Sequence, residues 1–285
     1  MADTGKVFAI SDLHVAYPDN RAFVEALRPE SAEDWLLVAG DVAETFAQVG
    51  WALETLRGRF ARVVSAPGNH ELWTPPADPV QLRGQERYDA LVRMCRALDV
   101  DTPEDPYPVW NGAVTIAPLF LLYDYTFQPS GIGSKADGLA LAYETGIVCR
   151  DEELLYPDPW PSREDWCRAR VRLTEHRLAT QDPALPTVLV NHFPLVREPT
   201  NILRYPQFAQ WCGTELTAEW HVRFDALAVV YGHLHIPRST RYDGVPFEEV
   251  SLGYPREWQP RPNPPRLREI LPALSPAVRP TPSDR

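Results

Sequence analysis

The chain has 285 residues, which is enough for one large α/β domain or two small ones. Its composition, 44% hydrophobic and 24% charged, is ordinary for a globular protein and excludes disorder of the whole chain. The net charge of −11 creates a field that repels nucleic acid and anionic membranes, so it disfavours a general nuclease or a peripheral membrane protein.

The first apolar run, residues 7–10, follows a short polar lead and lies in the first predicted strand, residues 6–10. Similar runs, each ending in a polar or glycine-containing turn, follow at residues 35–39, 63–64, 188–190 and 227–231. Apolar runs without alternation are typical of strands buried on both faces, as in sheets that helices cover. The strands therefore predict a core of helix-covered sheets.

Helical patterns lie between these strands, near residues 20–28, 42–58, 80–98 and 215–224. The clearest helix opens at Ser162, which can cap it, and Asp165 three residues later is the capping-box partner. The alternation of strands and helices predicts an α/β architecture, with some antiparallel pairing near residues 245–250.

Two segments depart from this alternation. Residues 120–160 are rich in Tyr, Pro and Gly, and a long, weakly patterned insertion between core elements is often functional. We therefore expect a lid there, with Tyr123, Tyr125 and Trp160 over the substrate. Residues 259–285 are rich in Pro and Arg and are expected to lie extended on the surface, beyond a main domain formed by residues 1–258.

The cysteines favour a reducing compartment, because all four are far apart in the sequence and none belongs to a CxxC pair: Cys95, Cys149, Cys167 and Cys212. The short lead before the first strand leaves no space for a signal peptide. No apolar run approaches the roughly 18 residues that a membrane-spanning helix requires. We expect a cytoplasmic protein without a membrane partner.

Five predicted strand ends carry side chains that can bind a metal ion. These side chains are Asp12 with His14, Asp41, Asn69 with His70, His192, and His233 with His235. Ligands normally bind beyond the carboxyl ends of strands in open α/β sheets, and residues two apart in extended backbone point the same way. Oxygen and imidazole ligands without thiolate favour manganese, iron or zinc. Burying so many ionisable groups without a cation would be costly, so the pattern predicts a metal centre.

The ordered set of motifs resembles the calcineurin-like metallophosphoesterase family. The motifs are Asp-x-His at 12–14, Gly-Asp-x-x-Glu at 40–44, Gly-Asn-His-Glu at 68–71, the lone His192, and Gly-His-x-His at 232–235. The resemblance implies two facing mixed β-sheets flanked by helices, in four layers, with the site at one rim. It also implies a binuclear metal-dependent phosphoesterase.

The resemblance further implies a role for each ligand. Asp12, His14, Asp41 and His235 would bind the first ion, and Asp41 would bridge to a second ion completed by Asn69, His192 and His233. A hydroxide between the ions would attack phosphorus in line. His70 would donate a hydrogen bond to the phosphoryl group or protonate the leaving oxygen, and Glu71 would orient it. Many family members have Asp at the position of Glu71, which leaves the geometry of that pair open.

Arginines after the late motifs are candidate contacts for an anionic substrate: Arg197, Arg204, Arg238 and Arg241, with Arg256 further along. Glu44 is either a carboxylate behind the site or an ordinary charge at a helix start. His176 and His221 lie in helical patterns, and we place both outside the site.

The motifs leave the substrate open between a phosphodiester and a phosphomonoester. Segments at 123–125, 157–160, 211–214 and 253–258 resemble an actinobacterial branch of the family. Some members of that branch are phosphopantetheinyl hydrolases, which remove the 4'-phosphopantetheine arm from holo-carrier proteins. A cyclic-nucleotide phosphodiesterase is the alternative with the same motifs, and a non-catalytic scaffold is the remote one. A DNA nuclease is disfavoured by the net charge of −11.

Overall fold

Two β-sheets pack face to face in the structure, a computed structural model that describes residues 5–129, 131–263 and 265–273. The first sheet has the order β10-β1-β2-β3, and its strands are β1 (Val7–Ile10), β2 (Trp35–Ala39), β3 (Arg62–Ala66) and β10 (Arg268–Leu271). β1, β2 and β3 are parallel, whereas β10 is antiparallel to β1. The three parallel strands therefore end at the same edge.

The second sheet has the order β4-β5-β6-β7-β9-β8. Its strands are β4 (Val109–Trp110), β5 (Val114–Pro118), β6 (Thr187–Val190), β7 (Ala226–Tyr231), β8 (Arg238–Tyr242) and β9 (Val245–Glu249). β5, β6, β7 and β9 are parallel, and the two edge strands are antiparallel to their neighbours. The antiparallel pairing predicted near residues 245–250 is confirmed in the β8–β9 hairpin.

The strands of the first sheet bury side chains on both faces. On one face, Val7 and Leu37 pack with Val188 and Val230 of the second sheet in a shared apolar cluster. The alternate residues of the same strands, such as Phe8, point to the opposite face and pack against the helices. The predicted arrangement of two facing mixed sheets flanked by helices is confirmed.

The helices are α1 (Pro18–Ala26), α2 (Phe46–Arg57), α3 (Asn69–Leu72), α4 (Gly84–Ala97), α5 (Lys135–Glu144), α6 (Asp151–Leu154), α7 (Arg163–Ala179), α8 (Trp220–Arg223) and α9 (Pro255–Trp258). Short 3-10 helices lie at Glu198–Ile202, Pro206–Trp211 and Glu215–Thr217. The Ser162 cap is confirmed, since its hydroxyl accepts a hydrogen bond from the Asp165 amide at 3.1 Å. The helix predicted at 215–224 is instead divided between a 3-10 turn and α8.

The first part of the segment expected to be a lid belongs to the core, whereas residues 131–150 are mostly exposed or half-buried. Leu119 and Phe127 delimit an irregular stretch whose apolar side chains are buried. This burial is feasible because other groups satisfy the backbone there: the Leu121 amide donates to the Asn191 side chain, and the Phe120 carbonyl accepts from Arg170. Beyond it lie α5 and α6, which the sequence pattern did not reveal.

The end of the chain also departs from the expectation of a surface extension. β10 lies within the Pro/Arg-rich residues 259–285, yet it pairs with β1 and places Leu271 beside Val7. An edge strand is recruited there because β1 otherwise exposes its backbone groups. Residue 264 and residues 274–285 of the expected extension lie outside the described residues. Within the described parts of the chain, no helix has the length and apolar character needed to span a membrane.

Arg87 on α4 supports the turns that surround the site. Its guanidinium forms a buried ion pair with Asp78 at 2.8 Å and donates to the backbone carbonyls of Glu71 and Glu44 at 2.8 and 3.1 Å. We expect Arg87→Leu to lower the free energy of unfolding by about 3–5 kcal/mol, because it leaves a buried carboxylate unpaired. Urea unfolding measures this change. Arg93→Leu, at an exposed position of the same helix, should change the free energy of unfolding by less than about 0.5 kcal/mol; an equal loss in both variants would contradict the assignment.

Candidate metal centre

The predicted ligands lie in the turns that follow five strands, where the carboxyl ends of the two sheets meet. Asp12 and His14 follow β1, Asp41 follows β2, Asn69 follows β3, His192 follows β6, and His233 and His235 follow β7. The structure brings all seven side chains into one buried region. The contacts among these side chains join distant parts of the sequence, and 223 positions separate the hydrogen-bonded residues Asp12 and His235.

The backbone of these turns is strained. Five of the residues have a positive φ: Asp12 (53°), His14 (40°), Asp41 (56°), His233 (68°) and His235 (56°). A left-handed conformation costs a residue other than glycine about 1–3 kcal/mol and persists only where the surroundings enforce it. Here the Asp12 amide donates to the Gly40 carbonyl at 2.9 Å, and the His14 amide donates to the Asp41 carbonyl at 3.1 Å.

Glycine is required where two of these turns cross. A Cβ atom on Gly68 would lie 2.1 Å from Oδ1 of Asp41, which is far inside the contact distance of any real pair of atoms. Gly40 has a φ of +82°, and a Cβ there would meet the backbone of Gly68 at 2.6 Å. The two glycines therefore let the turns after β2 and β3 approach each other closely enough to share Asp41.

Three side chains form the first group, which we call the Asp12 cluster: Asp12, His14 and His235. Nε2 of His235 lies 3.0 Å from Oδ1 of Asp12 and 3.3 Å from Nε2 of His14. On the far side of Asp12, Oδ2 accepts hydrogen bonds from the hydroxyls of Ser11 at 2.6 Å and Ser251 at 2.7 Å. One carboxylate oxygen is thus held by serines while the other faces the imidazoles.

The second group, the Asp41 cluster, contains Asp41, Asn69, His192 and His233. Nε2 of His192 is its centre, at 3.3 Å from Oδ2 of Asp41, 3.1 Å from Oδ1 of Asn69 and 3.2 Å from Nδ1 of His233. Ligand atoms of Asp41, His14 and His70 also lie within 4.8 Å of one another. Asp41 consequently connects the two clusters.

The electrostatics of the clusters call for positive charge. Burial favours the neutral carboxylic acid of Asp12 and Asp41, yet His235 lowers the pKa of the Asp12 carboxyl group below its ordinary value, and His192 lowers the pKa of the Asp41 carboxyl group. Burial opposes protonation of His192, but the Asp41 carboxylate outweighs it and raises the pKa to about 9. Burial with repulsion from His192 lowers the pKa of His233 to about 3. Burial likewise opposes protonation of His235, but the Asp12 carboxylate outweighs it and raises the pKa to about 10. The two buried anions are therefore paired with protonated imidazoles, a positive charge that bound cations would supply instead.

The residues present fit divalent metal ions. Each cluster offers carboxylate oxygen and imidazole nitrogen, which is the donor set of manganese, iron and zinc sites. Imidazole nitrogens face each other at 3.3 Å between His14 and His235 and at 3.2 Å between His192 and His233. Only one proton fits in such a gap, whereas a cation can bind both lone pairs. His233 Nε2 is also buried without a hydrogen-bond partner among the described residues.

His70 lies beside the clusters, but Glu71 does not orient it. The His70 ring stacks on Trp73 with centroids 3.7 Å apart, and its Nδ1 lies 3.4 Å from a carboxylate oxygen of Glu44. Glu71 turns away and accepts hydrogen bonds from the amides of Gly68 at 2.8 Å and Asp41 at 3.1 Å, and from the Val42 amide. The expected partner is thus replaced by Glu44, because Glu71 is needed by the amides of the Asp41 turn.

Two carboxylates behind the clusters were not identified from the sequence. Glu257 accepts a hydrogen bond from Nδ1 of His235 at 2.7 Å, and Asp151 accepts one from Nδ2 of Asn69 at 2.8 Å. Glu257 stands three residues after Tyr254, the spacing of a capping box at the start of α9, and this signal was available. Asp151 begins a four-residue helix, and no local pattern indicates its contact.

Tyr123 and Tyr125 are only 1% and 3% exposed, so the structure does not place them as an open lid. The Tyr123 hydroxyl donates to Asp151 at 2.8 Å, and the Tyr125 hydroxyl donates to Glu152 at 2.6 Å. Trp160 is partly buried and packs against the same core. The two tyrosines occupy interior positions because each hydroxyl donates to a carboxylate there.

The expected arginine contacts are spread over several surfaces. Arg197 donates to the Gln128 carbonyl, and Arg204 is exposed beside the Tyr205 ring. Arg238 begins β8, and Arg241 near its end donates to the carbonyl of Gly244 in the hairpin turn. Among the described residues, the guanidinium of Arg241 makes no hydrogen bond or ion pair with a member of either cluster.

The two histidines predicted to lie outside the site are away from the clusters. His176 is exposed on α7. His221 is buried against Phe247, and its Nε2 lies 2.9 Å from a carboxylate oxygen of Asp243. This second histidine–carboxylate pair is useful as a control for substitutions in the clusters.

Comparison with known proteins relates the whole of this architecture to one group. Residues 5–237 match the family model described as calcineurin-like phosphoesterase. The acyl-carrier-protein phosphodiesterase PptH of Mycobacterium tuberculosis is 55% identical over 269 residues, which cover 93% of this chain and 83% of that protein. The crystal structure of phosphopantetheinyl hydrolase PptH from Mycobacterium tuberculosis matches with a TM-score of 0.93 and 53% identity, covering 99% of this chain and 100% of that one.

Proposed function

The chain belongs to the calcineurin-like phosphoesterase family and is a phosphoesterase, and on that premise we propose that it hydrolyses the phosphodiester of holo-carrier proteins. The observation that carries this substrate is the 55% identity to an acyl-carrier-protein phosphodiesterase across 93% of the chain. The matched structure covers 99% of this chain, so the likeness extends through both sheets and the α5–α6 segment. No comparable observation favours a cyclic nucleotide or a phosphomonoester.

The metal ions proposed for this reaction are manganese or iron, with zinc as the further option. The Asp12 cluster would hold one ion, and the Asp41 cluster would hold the other, with Asp41 reaching both because it lies between them. Bound divalent ions lower the pKa of water and neutralise phosphate oxygens. The buried carboxylates and imidazoles would fix the positions of the metal ions, because hydrogen bonds restrain these side chains. Ser11 and Ser251 hold Asp12, and the Ala39 carbonyl holds His192.

The overall reaction adds water across the bond between phosphorus and the serine oxygen of the carrier. Hydroxide is bonded to phosphorus in the product, and the proton ends on the serine hydroxyl, giving apo-carrier and 4'-phosphopantetheine. We assign His70 to the proton on the leaving oxygen. Burial opposes protonation of His70, but Asp41 and Glu44 outweigh it and raise the pKa of the imidazole. Stacking on Trp73 fixes the plane of the ring.

Substrate contacts are proposed at the exposed rim. The guanidinium of Arg256 lies 5.3 Å from the centre of the Tyr254 ring, and that ring stacks on His14 with centroids 4.5 Å apart. Among the expected arginines, Arg256 is therefore connected to the Asp12 cluster through the Tyr254 ring. Arg197, Arg204 and Arg238 remain proposed contacts for the anionic carrier, since guanidinium groups suit phosphate and carboxylate oxygens.

We place the reaction in the cytoplasm, where a carrier protein would be its partner. The four cysteines are free thiols, and three of them are buried. Burial raises the pKa of the Cys95 thiol to about 12, which keeps it protonated and unreactive. Free thiols of this kind suit a reducing compartment.

The test of the proposed function uses manganese-loaded protein with a purified holo-carrier protein. We expect stoichiometric conversion to apo-carrier, with 4'-phosphopantetheine in the soluble fraction, measured by intact-protein mass spectrometry. A 3',5'-cyclic nucleotide and p-nitrophenyl phosphate are run beside it. Faster turnover of the cyclic nucleotide or the monoester, with the carrier left intact, would assign a different substrate class. Conversion by an Asp41→Asn preparation would reveal a contaminating enzyme.

A further inference from the structure

Asp151 is a fully buried carboxylate at the start of α6, with an exposed fraction of 0%. It accepts three side-chain hydrogen bonds: from Nδ2 of Asn69 at 2.8 Å, from Nε1 of Trp73 at 2.6 Å and from the hydroxyl of Tyr123 at 2.8 Å. Asn69 belongs to the Asp41 cluster, and Trp73 stacks on His70. Asp151, 82 positions from Asn69, thus contacts one site residue directly and contacts Trp73, the support of another site residue.

The chemistry of the Asp151 contact decides which end of the Asn69 amide faces the Asp41 cluster. An ionised carboxylate accepts hydrogen bonds and donates none, so it can pair only with the NH₂ group of the amide. The amide oxygen must then point the other way, and it lies 3.1 Å from Nε2 of His192. Metal ions bind the amide oxygen, whereas the NH₂ group offers no lone pair for one.

α6 is fixed in place, so Asp151 can hold this orientation. Arg163 on α7 donates to the Asp151 carbonyl at 2.7 Å and forms an ion pair with Glu152 at 2.7 Å. Glu152 also accepts hydrogen bonds from Tyr125 at 2.6 Å and Trp211 at 2.9 Å. These contacts attach the short helix to α7, to the core and to the 3-10 helix Pro206–Trp211.

We propose that Asp151 is a positioning residue, which orients the Asn69 side chain so that its oxygen serves the metal ion of the Asp41 cluster. The inference rests on the proposed metal role of Asn69. It assigns a function to the α5–α6 segment, which supplies none of the seven family ligands. The segment instead supplies the hydrogen-bond acceptor that orients one of them.

The test is manganese titration of metal-free Asp151→Asn, followed by calorimetry, with bound metal counted by mass spectrometry. The new amide can donate as well as accept, so it no longer selects the orientation of Asn69. Loss of a partner behind a metal ligand typically weakens metal affinity about 10–100-fold. We expect this weakening for one of two manganese equivalents and wild-type affinity for the other. Two equivalents of wild-type affinity in the folded variant would overturn the proposal.

Glu152→Gln is the matched control, because Glu152 stands next in α6 and contacts no member of either cluster in the described structure. It should lower thermal stability while leaving both manganese equivalents unchanged. Tyr123→Phe removes another hydrogen-bond donor from Asp151, and it should also lower thermal stability without changing the affinity for either manganese ion. If either control lowered the affinity for one manganese ion as strongly as Asp151→Asn, the effect would come from a general loosening of the α5–α6 segment, and the positioning role would be refuted.

Asn69→Ala separates this inference from the proposed function. Wild-type affinity for two manganese ions in Asn69→Ala would refute Asn69 as a ligand, and the positioning role would fail with it. Weakening in Asn69→Ala without weakening in Asp151→Asn would refute the positioning role alone. Should Asp151→Asn not fold, Asp151→Glu keeps an acceptor-only carboxylate at a different reach. A reduced affinity for one equivalent is expected there, and unchanged affinity would again overturn the proposal.

Discussion

Asp41→Asn is expected to lower kcat by about 10³-fold or more and to reduce the content of both metal ions. Asp41 lies between the two clusters: one of its oxygens is within 4.8 Å of a ring nitrogen of His14 in the Asp12 cluster, and its Oδ2 is 3.3 Å from Nε2 of His192. Removing a single preorganised electrostatic group from an active site costs about 10²–10³-fold in kcat. A variant that weakens both ions at once should exceed that range.

The measurement combines metal counting after desalting with kcat on the holo-carrier protein. Asp243→Asn is the matched control, since Asp243 pairs with His221 in the histidine–carboxylate contact outside the clusters. That variant should keep both ions and normal turnover. Full metal content and normal turnover in Asp41→Asn would show that Asp41 does not connect two ions.

His70→Ala should keep both metal ions yet lower kcat by about 10²–10⁴-fold, the range for removal of a general acid. The reason is geometric: His70 lies against Asp41 and Glu44 at the border of the clusters, while each cluster keeps its other ligands. A carrier or diester with a better leaving group should be hydrolysed with a smaller loss, because protonation of the leaving oxygen then matters less.

Metal counting separates this prediction from the competing arrangement in which His14, Asp41 and His70 hold an ion together. Loss of one ion in His70→Ala would make His70 a ligand and refute its role as an acid. His176→Ala, at the exposed histidine of α7, should leave the metal content and kcat at the wild-type values. An equal change in both variants would indicate an effect of the preparation.

Much of the fold was predictable because strand ends carry two local signals at once. The run that ends at Ile10 is apolar throughout, since β1 is buried on both faces, and the polar turn follows immediately. The same change from an apolar strand to a polar or glycine-containing turn occurs after Ala39, Val190 and Tyr231. Parallel strands then bring their carboxyl ends to one edge, which is how a linear pattern of Asp, Asn and His predicted a single cluster.

Predictions that depended on which side chains meet across the chain were less successful. Glu71 was expected to orient His70, yet three backbone amides around Asp41 bind its carboxylate, and Glu44 lies beside His70 instead. Both carboxylates are near His70 in sequence, so spacing does not distinguish them. Tyr123 was expected in a lid over the substrate, but it lies in the core, where the buried Asp151 accepts a hydrogen bond from its hydroxyl.

The sequence by itself determined the runs that form β1, β2, β3, β6 and β7, the order of the family motifs and the identity of the seven candidate ligands. Those features are set by residue type and by spacing over a few positions. Only the tertiary structure decided that Leu271 pairs beside Val7, that Glu257 contacts His235 and that Asp151 contacts Asn69. Such contacts join positions 22 to 264 residues apart, and no local periodicity encodes them. They form because a buried carboxylate or an open strand edge must find a partner within the folded chain, wherever in the sequence that partner lies.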